Sequence, residues 1–413
     1  MVLTLDGPRL FDPVRGRISD PVAVAISDDR IDAVGPAAAR RDTPTVDLDG
    51  MVALPGLIEA HAHLGIVGPV PDFRTPAAVT AALIFRNCAL ALEAGFTTAR
   101  DCGGVDGGVA QAIARGHVRG PRLLPSGPMI CQTGGHGDLS VPYLGEKNDV
   151  YHSGIPGLVK PSMVCDGPDE VREAARKAFQ RGATQLKLAV SGGVISHTDR
   201  LEDAQFTVDE LRAAVTEAQA RGRYVTVHAH NRESITQALD AGVSCIEHGT
   251  FLDDALATEM ARQGAAMVPT LSIGHLLQEH WQEWGAPEEA VGRAQQMRSA
   301  LRQALKSARG AGVLMGLGSD LIGAEQSGRG LEIRLRAEMT DPLEALTAAT
   351  LHNATIIGQA DDLGTVEPGK IADLVVVDGD PLENPALLED PESVVLVIQA
   401  GQIVKDLTGR MTT

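Results

Sequence analysis

Strand-like apolar runs alternate with helix-like segments through the middle of this 413-residue chain. The apolar runs are Val52–Ile58, Phe96–Ala99, Arg122–Pro125, Gln185–Val190, Tyr224–Val227, Ser244–Glu247, Ala265–Val268 and Val313–Leu317. Helical patterns separate most of them, including Pro168–Arg181, Thr207–Arg221 and Glu288–Arg309. Eight strands that alternate with helices favour an α/β fold of the (β/α)8, or TIM, barrel type. A doubly wound sheet is the alternative, because a linear sequence does not show barrel closure.

Both ends of the chain have a different sequence pattern, with short strand-like segments joined by turns. These segments are Pro21–Ile26, Arg30–Val34, Ala372–Asp378 and Ser393–Val404. Neither end is long enough to form its own core, so we expect one small β-sandwich built from both termini. The predicted domains are therefore 1–55 with 365–413 for the sandwich and 56–364 for the barrel.

Net charge and cysteine usage argue against a nucleic-acid-binding, membrane-bound or disulfide-rich secreted protein. The net charge of −18 and the pI near 5.1 disfavour nucleic acid or an anionic membrane as the partner. The five cysteines form no CxxC pair, which argues against a disulfide framework and favours a reducing compartment. The first residues show no signal peptide, and charge interrupts every apolar stretch before it reaches the length of a membrane span. We expect a cytoplasmic protein.

Two histidines, His61 and His63, follow the first apolar run. Residues two apart on a strand point to the same face, so both imidazoles would project into one space. Two neutral imidazoles aimed at one point suit a divalent metal such as Zn²⁺. Because an isolated His-x-His is weak evidence, the prediction depends on further ligands elsewhere in the chain.

Four more polar side chains belong to other predicted strands: Lys187 lies within the fourth, His228 ends the fifth, His248 follows the sixth and Asp320 follows the eighth. Catalytic residues of barrels come from the carboxyl ends of the strands. Taken singly, a strand-end histidine is more often a structural hydrogen-bonding residue, and an aspartate after a strand often caps a helix. Six such residues on one face of five strands together predict a shared metal site.

Several segments resemble the amidohydrolase superfamily. Leu54–His63 is similar to the opening motif of that family, and Gly364–Val375 is similar to its return to the small sandwich. Within the family, the chain resembles the binuclear metallo-dipeptidase and prolidase-like group, which includes enzymes related to imidazolonepropionase and enzymes that hydrolyse ochratoxin. The segments that carry this second likeness are Thr133–Gly137, Gln185–Val194, Val227–His230 and Ile246–Thr250.

The resemblance implies a ligand set and cofactors. His61, His63 and Asp320 would hold one metal ion, His228 and His248 would hold a second, and Lys187 would bridge both as an N-carboxylated lysine formed with CO2. Lys187 separates this chain from the mononuclear branches of the family, which lack it. Zinc suits these ligands, although manganese, cobalt and iron also accept nitrogen and oxygen donors.

The resemblance also implies a reaction. A hydroxide that bridges the two metals would attack an amide or peptide carbonyl, and Asp320 would pass its proton to the leaving amine. The same hydroxide could attack a lactone, a carbamate or a phosphoester instead. A scaffold protein that keeps the fold without catalysis is disfavoured, because all six ligands are present.

A dipeptide or N-acyl amino acid carries a carboxylate, and three residues are candidates to bind it. His136 lies in the long, irregular segment Gly127–Asp166, which we expect to be a functional loop. His230 shares the strand face of His228, where many relatives have tyrosine, and Arg232 lies close by. Trp281 and Trp284 could pack on an apolar substrate or a neighbouring subunit. By analogy with relatives, we expect a homo-oligomer that acts on a small molecule.

Overall fold

The structure, a computed structural model, describes residues 2–38, 43–68, 75–139, 154–196, 198–283, 286 and 288–412. Contacts group the chain into two units. One unit comprises Met1–Ala60, Cys88–Ala99 and Ser327–Thr413, and the other comprises His61–Asn87 and Arg100–Gln326. Every candidate site residue predicted from the sequence belongs to the second unit. The domain boundaries predicted above stay a prediction.

Barrel strands follow one another in sequence order within the described ranges. We number them 1 to 8: Leu57–Ala62, Phe96–Asp101, Arg122–Pro125 continued by Met129–Cys131, Leu186–Ala189, Val225–Ala229, Cys245–His248, Ala266–Val268, and the segment around Met315. All residues of barrel strands 1, 2 and 4 to 7 are buried. Burial on both faces explains why these strands appear in the sequence as continuous apolar runs.

Barrel strands 4 to 8 are parallel and pair with their neighbours in the sequence. Lys187 lies opposite Thr226, and Met267 forms a parallel bridge with Met315. After barrel strand 8 the chain returns to barrel strand 1, where the amide of Asp320 donates to the carbonyl of His61 at 2.9 Å. An open, doubly wound sheet does not make this return. The prediction of a (β/α)8 barrel is therefore confirmed.

The predicted first strand, Val52–Ile58, is wrong as a single strand. It divides at Gly56 into Val52–Pro55, which belongs to a separate sheet, and barrel strand 1. A Cβ at Gly56 would lie 2.8 Å from the Cβ of Asp373, and the Gly56 amide donates to the Asp373 carbonyl at 2.7 Å. Only glycine fits this close approach. The division moves barrel strand 1 toward the carboxyl end, so that it includes His61.

In its described part, the first unit contains two sheets that share one buried apolar cluster. The order of the five-stranded sheet is Met411–Thr412, Thr45–Asp47, Val2–Asp6, Val24–Ser27 and Arg30–Val34. The order of the six-stranded sheet is Gln402–Asp406, Val394–Gln399, Leu374–Val377, Val52–Pro55, Arg9–Asp12 and Arg17–Ile18. Alternate residues reach the shared cluster, such as Leu3 and Leu5 from one sheet and Leu374 and Val376 from the other.

Helices separate most of the barrel strands. The α-helices of the described residues are Ala77–Glu93, Gly107–Ala114, Pro168–Gln180, Val208–Gln219, Arg232–Ala241, Asp254–Gln263, Ser272–His280, Glu289–Ala311, Leu331–Met339, Pro342–Thr347 and Asn353–Ile356. A π-helical turn spans Ala348–His352, and 3-10 turns span Pro36–Ala38, Pro385–Leu388 and Pro391–Ser393. The helix at Val208 begins with a capping box between Thr207 and Glu210, which explains its sharp start.

The predicted loop Gly127–Asp166 contains more regular structure than its irregular sequence indicates. Met129–Cys131 and Ser162–Val164 form parallel strands, and Val159–Lys160 pairs with Gly104–Val105. Residues 140–153 lie outside the described residues. These strands are too short to show a period in the sequence.

Two further findings bear on the predicted class of protein. In the described part of the chain, the helices are too short or too polar to cross a membrane. All five cysteines, which fall within the described ranges, are buried, and none of them forms a disulfide bond.

Candidate metal centre

One group of ligands lies where barrel strand 8 returns to barrel strand 1. The Oδ1 atom of Asp320 lies 3.4 Å from His61 Nε2 and 3.3 Å from His63 Nε2. The ligand atoms of these three residues all lie within 4.8 Å of one another, close enough to hold a metal ion. The two histidines are buried; His61 lies in barrel strand 1, and His63 follows the end of that strand.

A second group comes from barrel strands 5 and 6. His228, His230 and His248 are buried, and their ligand nitrogens also lie within 4.8 Å of one another. The ring centroids of His61 and His248 are 5.0 Å apart, so the two groups are neighbours. The structure therefore brings together every histidine that the sequence predicted as a metal ligand, and it places His230 among them.

Each imidazole has one ring nitrogen in a hydrogen bond away from the cluster. The contacts are His61 Nδ1 to Glu247 Oε2 at 2.7 Å, His63 Nδ1 to Gly103 O at 2.9 Å, His230 Nδ1 to Thr250 Oγ1 at 2.7 Å, His248 Nδ1 to Thr270 Oγ1 at 2.7 Å, and His228 Nε2 to Gly192 O at 3.2 Å. Metal-binding histidines typically use the second ring nitrogen in this way, which fixes the ring and its tautomer. The arrangement leaves Nδ1 of His228 and Nε2 of the other histidines as the ring nitrogens that could face a metal ion or a substrate.

The electrostatics favour neutral imidazoles in the second group and an ionised carboxylate in the first. Burial, reinforced by neighbouring histidines, lowers the pKa of His228 and His248 well below its usual range and lowers the pKa of His230 to about 3. Burial raises the pKa of Asp320, but His61 and His63 outweigh it and hold that pKa well below its usual value. Neutral imidazole and carboxylate are the forms that bind divalent metals.

Lys187 reaches the same cluster from barrel strand 4. Its side chain is buried, and its Nζ has no hydrogen-bond partner among the described residues. Its charge adds to burial and to the neighbouring histidines in lowering the pKa of His228 and His248, so the amine lies near these imidazoles. A buried amine in this position is costly unless a bound or covalent group compensates it. The donor set and this lysine together fit a pair of metal ions bridged through Lys187.

A buried ion pair supports His61, and sequence reasoning missed it. Glu247 accepts from Arg100 Nη2 at 2.6 Å through Oε1 while Oε2 contacts His61, and all three side chains are buried. Burial raises the pKa of Glu247, but Arg100 and then His61 outweigh it and hold that pKa well below its usual range. Charged residues inside two otherwise apolar strands were the available signal, since such residues need buried partners.

Replacing Glu247 with glutamine is expected to lower the free energy of unfolding by about 3–5 kcal/mol, the cost of breaking a buried ion pair. The change removes the carboxylate that neutralises Arg100, while His61 loses its anionic partner. Urea denaturation measures the effect. The matched control is Glu259→Gln, whose carboxylate pairs with Arg262 at the surface, and its free energy of unfolding should stay close to that of the unmodified protein. Equal losses in the two variants would contradict the role of the buried pair.

Backbone strain accompanies the two ligand groups. His248 and Asp320 have φ values of 66° and 57°, in the left-handed region that non-glycine residues rarely occupy. A Cβ at Gly318 would lie 2.4 Å from the Cβ of His61, so barrel strands 1 and 8 approach closely only because that residue is glycine. Strain of this kind persists where the surrounding structure requires it, most often at functional sites.

The residues predicted to bind substrate occupy different surroundings. His136 stacks on His228 with ring centroids 4.1 Å apart, which places it beside the ligand groups. Arg232 is the first residue of its helix, and its exposed side chain pairs with Asp253. Trp281 packs against a cluster around Leu277. Trp284 lies outside the described residues.

Several known proteins are similar to this chain in both sequence and fold. A model of the amidohydrolase family matches residues 52–404. Ochratoxinase of Aspergillus niger is 32% identical over 366 residues, which cover 86% of this chain and 76% of that protein. A crystal structure of a prolidase complexed with N-methylphosphonate-L-proline is 37% identical, with a TM-score of 0.91 over 98% of this chain and 100% of that one. A Xaa-Pro dipeptidase with bound methionine in its active site is 29% identical, with a TM-score of 0.87 over 98% of this chain and 100% of that one.

The family model spans most of the chain, including all the barrel strands that carry the ligand groups. The chain therefore belongs to the amidohydrolase family, and it is a hydrolase that acts on C–N bonds.

Proposed function

We propose that this protein is a binuclear metal-dependent hydrolase that cleaves the amide or peptide bond of a dipeptide, an N-acyl amino acid or a related amide. The observation that carries the proposal is that two groups of ligand side chains lie beside each other, with the buried side chain of Lys187 close to His228 and His248. The family supports hydrolysis of an amide or peptide bond. Use of two metals and the mechanism below are the proposal.

His61, His63 and Asp320 would hold one ion, and His228 and His248 would hold the other. Lys187, carboxylated on Nζ by CO2, would supply one carbamate oxygen to each ion. Carboxylation converts a buried cation into an anion, which removes the cost of a buried ammonium beside two dications. Zinc suits this donor set of imidazoles and carboxylates.

Bound metal ions would lower the pKa of a water molecule and would polarise the scissile carbonyl. Asp320 then acts as the proton shuttle. Its carboxylate, kept ionised by His61 and His63, accepts the proton of the attacking water and donates it to the leaving amine. Glu247 holds the ring of His61 in one orientation throughout, through its contact with Nδ1.

The substrate would carry a carboxylate next to the scissile bond. The relatives named ochratoxinase, prolidase and Xaa-Pro dipeptidase support a substrate with an amide or peptide bond. We assign His136 and His230 to the binding of this substrate, because both rings contact His228. Arg232 stays a candidate for the carboxylate, although in the structure its guanidinium pairs with Asp253.

A substrate screen tests the proposal. Purified enzyme is supplied with zinc and bicarbonate and assayed on dipeptides and N-acyl amino acids. Lactones, carbamates and phosphotriesters are assayed separately as the alternative substrate classes. We expect the highest kcat/KM on an amide with a free carboxylate. A clear preference for a lactone or phosphotriester would overturn the proposed substrate class.

Replacing His230 with alanine separates substrate binding from metal binding at this position. If His230 contacts the substrate, KM should rise about 10- to 100-fold, the loss expected for one hydrogen bond to a charged group. The metal content should stay at that of the unmodified enzyme. His117→Ala, at an exposed histidine, is the control. Loss of one metal equivalent in His230→Ala would instead make His230 a ligand.

A further inference from the structure

Two loops at the mouth of the barrel hold His136 over His228. The first loop follows barrel strand 3 and carries His136, and the second follows barrel strand 4 and carries Gly193 and Ser196. His136 Nδ1 lies 2.7 Å from Ser196 Oγ. A Cβ at Gly193 would lie 2.2 Å from His136 Nδ1, so the ring packs directly on the backbone of the second loop. The orientation of His136 therefore depends on how the two loops are joined.

Two buried side chains join them through a continuous relay of hydrogen bonds. The backbone amide of His136 donates to Gln205 Oε1 at 3.0 Å, and Gln205 Nε2 donates to Asp199 Oδ2 at 3.2 Å. Asp199 Oδ1 in turn accepts from the backbone amide of Gly193 at 2.9 Å. Gln205 is 3% exposed and Asp199 is 4% exposed. Buried polar chains of this kind stabilise one geometry, because each member left without its partner is costly.

A third contact fixes the second loop from its other side. Arg293, on the helix Glu289–Ala311, donates from Nη1 to the carbonyl of Gly193 at 3.3 Å and to that of Ser196 at 2.9 Å. The loop is thus held by Asp199 at its amide and by Arg293 at its carbonyls. With this loop fixed, Gln205 sets the position of His136 relative to it.

We propose that Gln205 and Asp199 are positioning residues that hold the His136 imidazole over the metal centre for contact with the substrate. The inference rests on the proposed function, because it assigns a role in binding the same substrate. Neither side chain touches the substrate. Both act through the backbone amides of His136 and Gly193.

The order of donors and acceptors along these three hydrogen bonds offers a specific test. Gln205→Glu places two carboxylates against each other, and Asp199→Asn leaves one donor facing another donor whichever way the amides turn. The double variant Gln205→Glu/Asp199→Asn restores all three hydrogen bonds. The new glutamate accepts from the backbone amide of His136 and from the side-chain amide of the new asparagine. The side-chain oxygen of that asparagine accepts from the backbone amide of Gly193. Its net charge equals that of the unmodified enzyme.

Each single variant is expected to lower kcat/KM on the order of 100-fold, the usual cost of a displaced active-site group, mostly through KM. The double variant should recover most of this loss. Metal content should be unchanged in all three. Gln219→Glu, at an exposed glutamine, controls for the added charge and should behave like the unmodified enzyme.

A second arm repeats Gln205→Glu in the His136→Ala background. If Gln205 acts through His136, the change should cost little further activity there, because non-additivity reports a shared role. Full additivity, or no recovery in a double variant that folds and holds its metals, would overturn the inference. The proposed function fails separately, if the unmodified enzyme hydrolyses none of the amides in the screen.

Discussion

Lys187→Ala is expected to lower kcat for the amide substrate by at least about 1,000-fold, since it would remove the proposed carbamate bridge and with it several kcal/mol of charge stabilisation. The side chain is buried, lies close enough to His228 and His248 to lower their pKa values, and its Nζ has no hydrogen-bond partner among the described residues. Steady-state kinetics with saturating zinc measure the change.

Chemical rescue of Lys187→Ala distinguishes loss of the bridging group from general damage to the fold. High bicarbonate or a short carboxylic acid should restore part of the activity of Lys187→Ala, because a free carboxylate can occupy the space of the carbamate. The control is Lys306→Ala, at an exposed lysine of the helix Glu289–Ala311, which should keep full activity. Unchanged turnover in Lys187→Ala would end the bridging role.

Asp320→Asn is expected to lower kcat by about 100- to 10,000-fold, the contribution typical of a positioned general acid–base group. Asparagine keeps the shape and an oxygen ligand but does not take up the proton of the attacking water. The Oδ1 atom lies 3.3–3.4 Å from two imidazoles, so the change also weakens the first ligand group. Kinetics at saturating metal separate the two effects.

The control for this variant is Asp209→Asn, whose side chain is 78% exposed and pairs with Arg212. Its kcat should match that of the unmodified enzyme. If Asp320→Asn binds both ions and still turns over at the normal rate, another group carries the proton and the assignment of Asp320 is wrong.

Much of the barrel was predictable because its strands are buried on both faces. Seven of the eight apolar runs coincide with barrel strands to within about two residues. A continuous apolar run indicates a buried segment even where no helical or strand periodicity can be read from it. The exception is Val52–Ile58. Its division depends on the close approach of Asp373 to Gly56, a contact between segments far apart in the chain. Local patterns carry no information about such contacts.

The ligand groups were predictable for a related reason. Parallel barrel strands end on one face, so polar residues that follow apolar runs must meet there. The sequence predicts that His230 shares the face of His228, but its distance to His248 depends on the register of barrel strands 5 and 6. Periodicity does not set that register.

The supporting residues were not found from the sequence. Glu247 and Arg100 lie inside apolar strands, and their pairing across the barrel is visible only in three dimensions. Gln205 and Asp199 lie in loops, where composition gives no geometry. The assembly into homo-oligomers and the cytoplasmic location stay predictions.

The metal-to-protein ratio of enzyme purified without chelators tests the central claim most directly. The claim is that two buried ligand groups and Lys187 hold a pair of divalent ions at one mouth of the barrel. Elemental analysis of the unmodified protein should give close to two equivalents per chain, and Lys187→Ala should retain markedly less. One equivalent or none in the unmodified protein after incubation with zinc and bicarbonate, or an unchanged ratio in Lys187→Ala, would contradict it.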